Sequence, residues 1–403
     1  MSQLPRFRIR TRMVARDTDE AERVSSPLEL LFDLTFVVAV AQVSTALAHA
    51  VEEGRGATAV LPFCMVFFAI WWAWINFSWF ASAYDTDDVP YRLLTLLQMG
   101  GVLVLAAGVP SAFSTGNFFG ITLGYFIMRI GLVAQWARAA REDPAGRRTA
   151  TRYAIGITVV QVGWLLRLLL PTTPSAIPYT VFLAFFVLAF FDVSVPFWAE
   201  RTGQTNWHPH HIAERYGLFT IILLGESIAS LAGGIGLVIS AGDLRGALIA
   251  VGIASLVLVF ALWWLYFLEP AGEGLEQRRS RSYVWGYAHY FVFVALAALG
   301  GGLDVVLAAA GGHLRISPVV ATYSVAIPVA LYVVSMWAAH APIVPRQIVR
   351  FRVILPAVIL TLLLPLAADA AGMPVTFALV VAVAVVQAVV IIVLKHRAFR
   401  DRT

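Results

Sequence analysis

Charge is scarce in this chain. Only 13% of its residues are Asp, Glu, Lys or Arg, against a hydrophobic share of 60% and a mean hydropathy of +0.79. That balance lies outside soluble globular usage and excludes a single large water-soluble domain. Hydrophilic gaps are short too, and the longest, around residues 269 to 283, could not build a core of its own. A single cysteine, Cys64, sits inside an apolar segment, which excludes a disulfide framework and a CxxC-type metal or redox site. No GxSxG, Walker A, HExxH or GxGxxG pattern occurs in a suitable context, so no cofactor is expected.

What is present is a succession of apolar runs of about 20 residues, the length that crosses the hydrocarbon core of a bilayer. They fall at 28 to 51, 58 to 83, 91 to 113, 117 to 137, 151 to 171, 175 to 198, 212 to 233, 244 to 268, 284 to 309, 317 to 340, 352 to 370 and 374 to 394. The expected fold is therefore an all-α polytopic membrane protein of about twelve transmembrane helices. A tail (1–25), a six-helix half (26–200), a linker (201–211), a second six-helix half (212–394) and a basic tail (395–403) follow from those runs.

Arginine placement orients the helices, because Lys and Arg accumulate in cytoplasmic loops. With both termini inside, the basic residues of the tails and of the loops around Arg92, Arg141, Arg201, Arg279 and Arg350 all face the cytoplasm. Arg6, Arg8, Arg346 and Arg402 are among them, while Arg55, Arg245 and Arg315 face outside. The expected location is a bacterial cytoplasmic membrane. The net charge of +5 reads as contact with anionic headgroups rather than with nucleic acid, which is discarded as a partner. A cleaved signal peptide is not expected, since the tail mixes acids with arginines and the first apolar run is long enough to span. The partners are then the bilayer and an unidentified small solute or ion; a homo-oligomer is left open.

An internal repeat links the halves. FAIWWAW at 68 to 74 matches FALWWLY at 260 to 266, while Glu29 and Thr35 match Glu214 and Thr220. The same alignment sets Gln42 beside Ser227, next to the level of Glu226. An even number of helices separates the partners, so the halves would share one orientation.

The polar residues inside these runs carry the chemistry, because an ionisable side chain in a bilayer normally faces protein or a water-filled cavity. Glu29 and Asp33 lie one helical turn apart on one face. They cannot both ionise easily there, which offers a proton acceptor or cation site; pairing with Arg215 or Arg92 is the structural alternative. In HIAERYGLFTIILLGES, residues 211 to 227, Arg215 and Glu226 share a helix stripe, with Glu226 deepest. Embedded Arg129 is a candidate counter-ion for Glu226, Asp192 or Asp304, whereas Arg167, near a helix end, is expected to snorkel outward. His208, His210, His211 and Glu214 are too irregularly spaced for a metal site, and His211 is better read as pH-sensing or helix-capping. Asp85, Asp87 and Asp88 form a cytoplasmic acidic cluster, either a cation funnel or a clasp to Arg92.

Three blocks, SPLELLFDLTFVVAVAQVS at 26 to 44, WWAW with DTDDVPYR at 71 to 92 and HIAERYGLFTIILLGESI at 211 to 228, resemble the bacterial low temperature requirement A (LtrA) family. The resemblance implies a polytopic membrane protein associated with growth in the cold, and it draws attention to the acidic and basic residues within those blocks. It supplies no mechanism. From the density of ionisable residues in lipid, the expected function is proton- or cation-linked transport or conduction. A membrane enzyme acting on lipids, with His211 and the cytoplasmic acids as acid-base groups, and a sensor or assembly protein without flux are the alternatives.

Overall fold

The computed structural model describes residues 9–18, 20, 23–170, 179–241, 246–344 and 349–400. Arg6, Arg8, Arg245, Arg346 and Arg402 lie outside the described residues, so the orientation reading is untouched at those positions. Among the described residues every regular element is a helix. This is what lipid demands, because a helix satisfies its own backbone hydrogen bonds.

In chain order the helices are α1 (Pro27–Glu52), α2 (Gly56–Tyr84), α3 (Val89–Thr115), α4 (Phe119–Glu142), α5 (Arg147–Arg167), α6 (Tyr179–Ala199) and α7 (Pro209–Ala241). They continue with α8 (Gly246–Phe267), a short α9 (Ala271–Gln277), α10 (Ser282–Ala310), α11 (Pro318–His340), α12 (Phe351–Leu363), a one-turn α13 (Ala368–Ala371) and α14 (Met373–Arg400). Among the described residues, eleven stretches are long and apolar enough to cross a membrane. The segment expected as the fifth span forms α5 but does not reach that hydropathy, because Arg147, Arg148, Arg152 and Arg167 lie on it. The expected span 352 to 370 is helical but interrupted: Pro365 sits in a 3-10 turn, Leu364–Ala367, between α12 and α13. Helix α7 outruns its expected end at 233, since Gly233, Gly234 and Gly236 do not break it. Its 33 residues make a rod about 50 Å long.

The chain divides into two compact units, one of residues 1–42 and 65–215 and the other of residues 43–64 and 216–403. In the first, α3 packs on α4, α4 on α5 and α5 on α6. The α3/α4 contact is close because glycine lines it from both sides. A Cβ placed on Gly124 would stand 2.5 Å from the Gly101 carbonyl oxygen, and one on Gly108 would stand 2.6 Å from Ile121 N. Asp88 caps the start of α3 by accepting from Tyr91 N, and Gly116 ends it at φ 67°, the left-handed conformation that glycine adopts without strain. In the second unit α10 packs on α11, α8 on α14 and α11 on α12.

Candidate functional site

The first unit holds a buried cluster of charge where the first two turns of α1 and α7 meet the last turns of α2. Arg215 is fully buried, and its Nη2 donates to Asp33 Oδ1 at 2.6 Å and to Ser78 Oγ at 3.0 Å. Asp33 Oδ1 also accepts from Trp74 Nε1 at 2.7 Å. One turn earlier on α1, Glu29 Oε1 lies 3.1 Å from His211 Nε2, 3.7 Å from Arg215 Nη1 and 3.8 Å from Arg23 Nη2. Glu29 Oε2 accepts from Ser26 N at 2.7 Å, a first-turn capping bond that fixes the carboxylate. All four side chains, Glu29, Asp33, His211 and Arg215, are buried.

The cluster is incompletely bonded. Asp33 Oδ2, Arg215 Nε and Nη1, and His211 Nδ1 have no hydrogen-bond partner, whereas Glu29 Oε1 and His211 Nε2 face each other at 3.1 Å. Atoms on both the acidic and the basic side therefore retain free hydrogen-bonding capacity in a low-dielectric setting, where a half-satisfied network is costly.

A polar cover made by the N-terminal tail lies beside this cluster. Arg23 Nη2 donates to the Ala81 carbonyl at 2.8 Å and approaches Asp85 Oδ2 at 3.9 Å, while Arg16 Nη1 approaches the same oxygen at 3.8 Å. Arg16 also binds Glu20, whose carboxyl it holds below the usual range. Burial and the Glu29 charge push the Asp85 carboxyl up to about 6, against the opposing pull of Arg23 and Arg16.

The three aspartates after α2 are not one funnel. Asp87, at φ 46°, is exposed and binds Arg92 through two hydrogen bonds of 2.7 and 2.8 Å. Asp88 is buried and accepts from Arg138 Nη1 at 2.8 Å and Nη2 at 2.6 Å and from Thr11 N at 2.8 Å. Burial would raise its carboxyl, but the bonds from Arg138, Thr11 and Tyr91 outweigh burial and hold it at about 2.

Other expected site residues lie elsewhere. Arg92 is committed to Asp87, and Arg129 Nη2 to Asp192 Oδ1 at 3.1 Å, so the counter-ion that α4 offers goes to α6. Glu214 is half-buried and accepts from Ser25 N at 3.2 Å. Capping of α7 falls to His208, whose Nδ1 accepts from His211 N at 3.4 Å, while His211 itself faces Glu29. Gln42 is exposed. In the second unit Glu226 is buried, and a Cβ on Gly300 would stand 3.5 Å from its Cγ and 3.6 Å from Ser44 Oγ. Glu226 therefore sits in a notch made by Ser44 of α1 and a glycine of α10, within reach of the Asp304 charge.

The sequence model of the bacterial low temperature requirement A protein matches residues 24–392. The chain belongs to the LtrA family. It is also 28% identical over 298 residues to an uncharacterized protein of Rhizobium meliloti (strain 1021), covering 72% of this chain and 70% of that one. No solved structure matches it. As an LtrA membrane protein it carries the buried Glu29, Asp33, His211 and Arg215 cluster inside the matched region. Reading the sequence missed Arg23, Trp74, Ser78 and Ser44. Arg23 was hidden among topological arginines, Trp74 among packing aromatics, and a serine inside an apolar run gives no signal of its own.

Proposed function

We propose that this LtrA protein is a carrier or conductor of a small solute or ion whose flux is linked to protons or cations. Glu29, Asp33, His211 and Arg215 form the exchanging site, and Glu226 a second one. The observation that carries this reading is the set of unbonded atoms on both sides of the buried cluster. A lock built only for stability would use those atoms, whereas a group that takes up and releases a proton or cation needs hydrogen-bonding capacity free. Arg215 serves as a counter-ion able to shift between Asp33 at 2.6 Å and Glu29 at 3.7 Å. Ionisable side chains inside membrane helices default to function, which favours the same reading. The setting is a bacterial inner membrane with both termini cytoplasmic, two similarly oriented six-helix halves, and a role in growth at low temperature.

The test is flux into proteoliposomes carrying a pH-sensitive dye, across a panel of cations, for wild type, Asp33→Asn and Glu226→Gln. Wild-type flux that falls at least tenfold in Asp33→Asn, with a monodisperse variant, is the expected result. Equal flux in all three proteins, or none above empty vesicles, defeats the proposal. If altered headgroups then appear in lipids of a deletion strain and revert on complementation, the lipid-enzyme reading replaces it.

A further inference from the structure

Arg167, the last residue of α5, is a buried cation with no acid beside it among the described residues. It is 7% exposed rather than snorkelled outward. Its Nε makes one long bond, 3.4 Å, to the Val181 carbonyl, and its Nη2 has no hydrogen-bond partner. Among the described residues no carboxylate pairs with it. Its Cζ instead lies 5.0 Å from the ring centre of Phe118, 5.7 Å from that of Phe185 and 5.9 Å from that of Trp164.

Asp192, on the neighbouring α6, is already engaged. It accepts from Arg129 Nη2 at 3.1 Å, from Tyr125 OH at 2.8 Å and from Trp164 Nε1 at 3.0 Å. Arg129 and Asp192 cancel, and the positive charge of Arg167 is left over. Guanidinium cannot lose its proton in a protein, and a buried charge without a partner is the costliest ionic arrangement a fold can hold. Aromatic faces offset part of that cost but supply no acceptor for Nη2.

Arg167 lines a cavity of about 30 Å³ together with Phe118, Thr122, Tyr125, Trp164 and Phe185. That volume admits one small polar group rather than a whole solute. Leu166, Leu183 and Phe186 on the same two helices are exposed, as side chains facing lipid tails would be. A cation inside an aromatic-walled cavity, flanked by exposed apolar side chains, suits an acyl-chained molecule with a single negative charge.

We propose that the Arg167 cavity binds the anionic phosphodiester head of a membrane lipid, with Arg167 Nη2 donating to a phosphate oxygen and the acyl chains lying along α5 and α6. The site is separate from the Glu29 and Asp33 cluster, and its test does not depend on flux.

Full-length protein in a neutral detergent is titrated with short-chain phosphatidylglycerol, with phosphatidylcholine of the same chains and with inorganic phosphate, reading the thermal unfolding midpoint. The expected result is a saturable upward shift with phosphatidylglycerol alone, and apparent affinity at least tenfold weaker in Arg167→Gln. Arg167→Lys, which keeps the charge, weakens it less than tenfold. Without lipid, Arg167→Gln unfolds no earlier than wild type, because the substitution removes a charge that lacks a partner. Equal shifts with phosphatidylcholine, no shift with any probe, or an unchanged affinity in Arg167→Gln overturn the proposal. A shift with inorganic phosphate as strong as with the lipid overturns the lipid assignment and leaves a small-anion site.

Discussion

Arg215 Nη2 donates to Asp33 Oδ1 at 2.6 Å across 182 residues of sequence, with both side chains buried. Removing one member of such a pair leaves the other charge buried without a partner. Arg215→Gln is expected to destabilise the protein by about 3–5 kcal/mol, seen as a lower unfolding midpoint in detergent. Adding Asp33→Asn should recover part of that loss, so the double variant is more stable than additivity predicts. Additive losses would show that the two side chains are not coupled.

Asp85 and Asp88 should give opposite slopes of stability with pH. Asp85 has a folded pKa of about 6, above an unfolded value near 3.9. The folded state therefore binds the extra proton, and stability declines as pH rises from about 4 to 6. Asp85→Asn should remove that decline, with a difference on the order of 3 kcal/mol at neutral pH at ~1.4 kcal/mol per pH unit. Asp88 is held at about 2, so its contribution is present above pH ~4 and is lost as pH falls from there towards 2. Asp88→Asn should therefore destabilise at pH 7 and scarcely at pH 2. Thermal melts of both variants over that range check the signs.

The α3/α4 contact predicts a contrast between glycines. Gly124→Ala would push a methyl group to 2.5 Å from the Gly101 carbonyl oxygen and 2.7 Å from Leu105 Cα, backbone atoms with nowhere to go. A loss of about 1–3 kcal/mol is expected. Gly100→Ala meets nothing within 4 Å and should gain up to ~1 kcal/mol from helix propensity. Unfolding midpoints of the two variants should move in opposite directions.

Ser44 and Gln42 give a further contrast on α1. Ser44 is fully buried and its Oγ donates to the Ala297 carbonyl at 2.8 Å, beside the Glu226 notch. Ser44→Val should cost about 1–3 kcal/mol through the lost hydrogen bond and the added bulk, and should alter any pH profile that depends on Glu226. Exposed Gln42 should accept Leu within about 0.5 kcal/mol.

That contrast also marks where the sequence stopped being informative. Apolar run length placed the long helices, because crossing lipid sets both the length and the composition of a segment. Glu29, Asp33 and Arg215 stood out because charge is rare in such runs. The rotation of α1 was not legible. A repeat match two residues long cannot distinguish Gln42 from Ser44, and only packing showed which one is buried. Asp85, Asp87 and Asp88 looked like one feature because adjacency in sequence hides that Asp87 turns outward at φ 46° while Asp88 turns in to cap α3. For α5, four arginines lowered hydropathy below that of its neighbours, although the helix itself formed where expected.

The tail gives assembly a chronology. Met13 N donates to Glu142 Oε2 at 2.6 Å across 129 residues, and Asn206 Nδ2 donates to the Arg16 carbonyl at 2.9 Å across 190 residues. Met13 N and the Arg16 carbonyl thus acquire these two partners only after the fourth helix and then the sixth have been made, whereas Arg23 can reach the Ala81 carbonyl once the second exists. The tail is therefore fastened in stages, first to the end of α2 and later to the ends of α4 and the α6–α7 link, and its final bonds close the first unit.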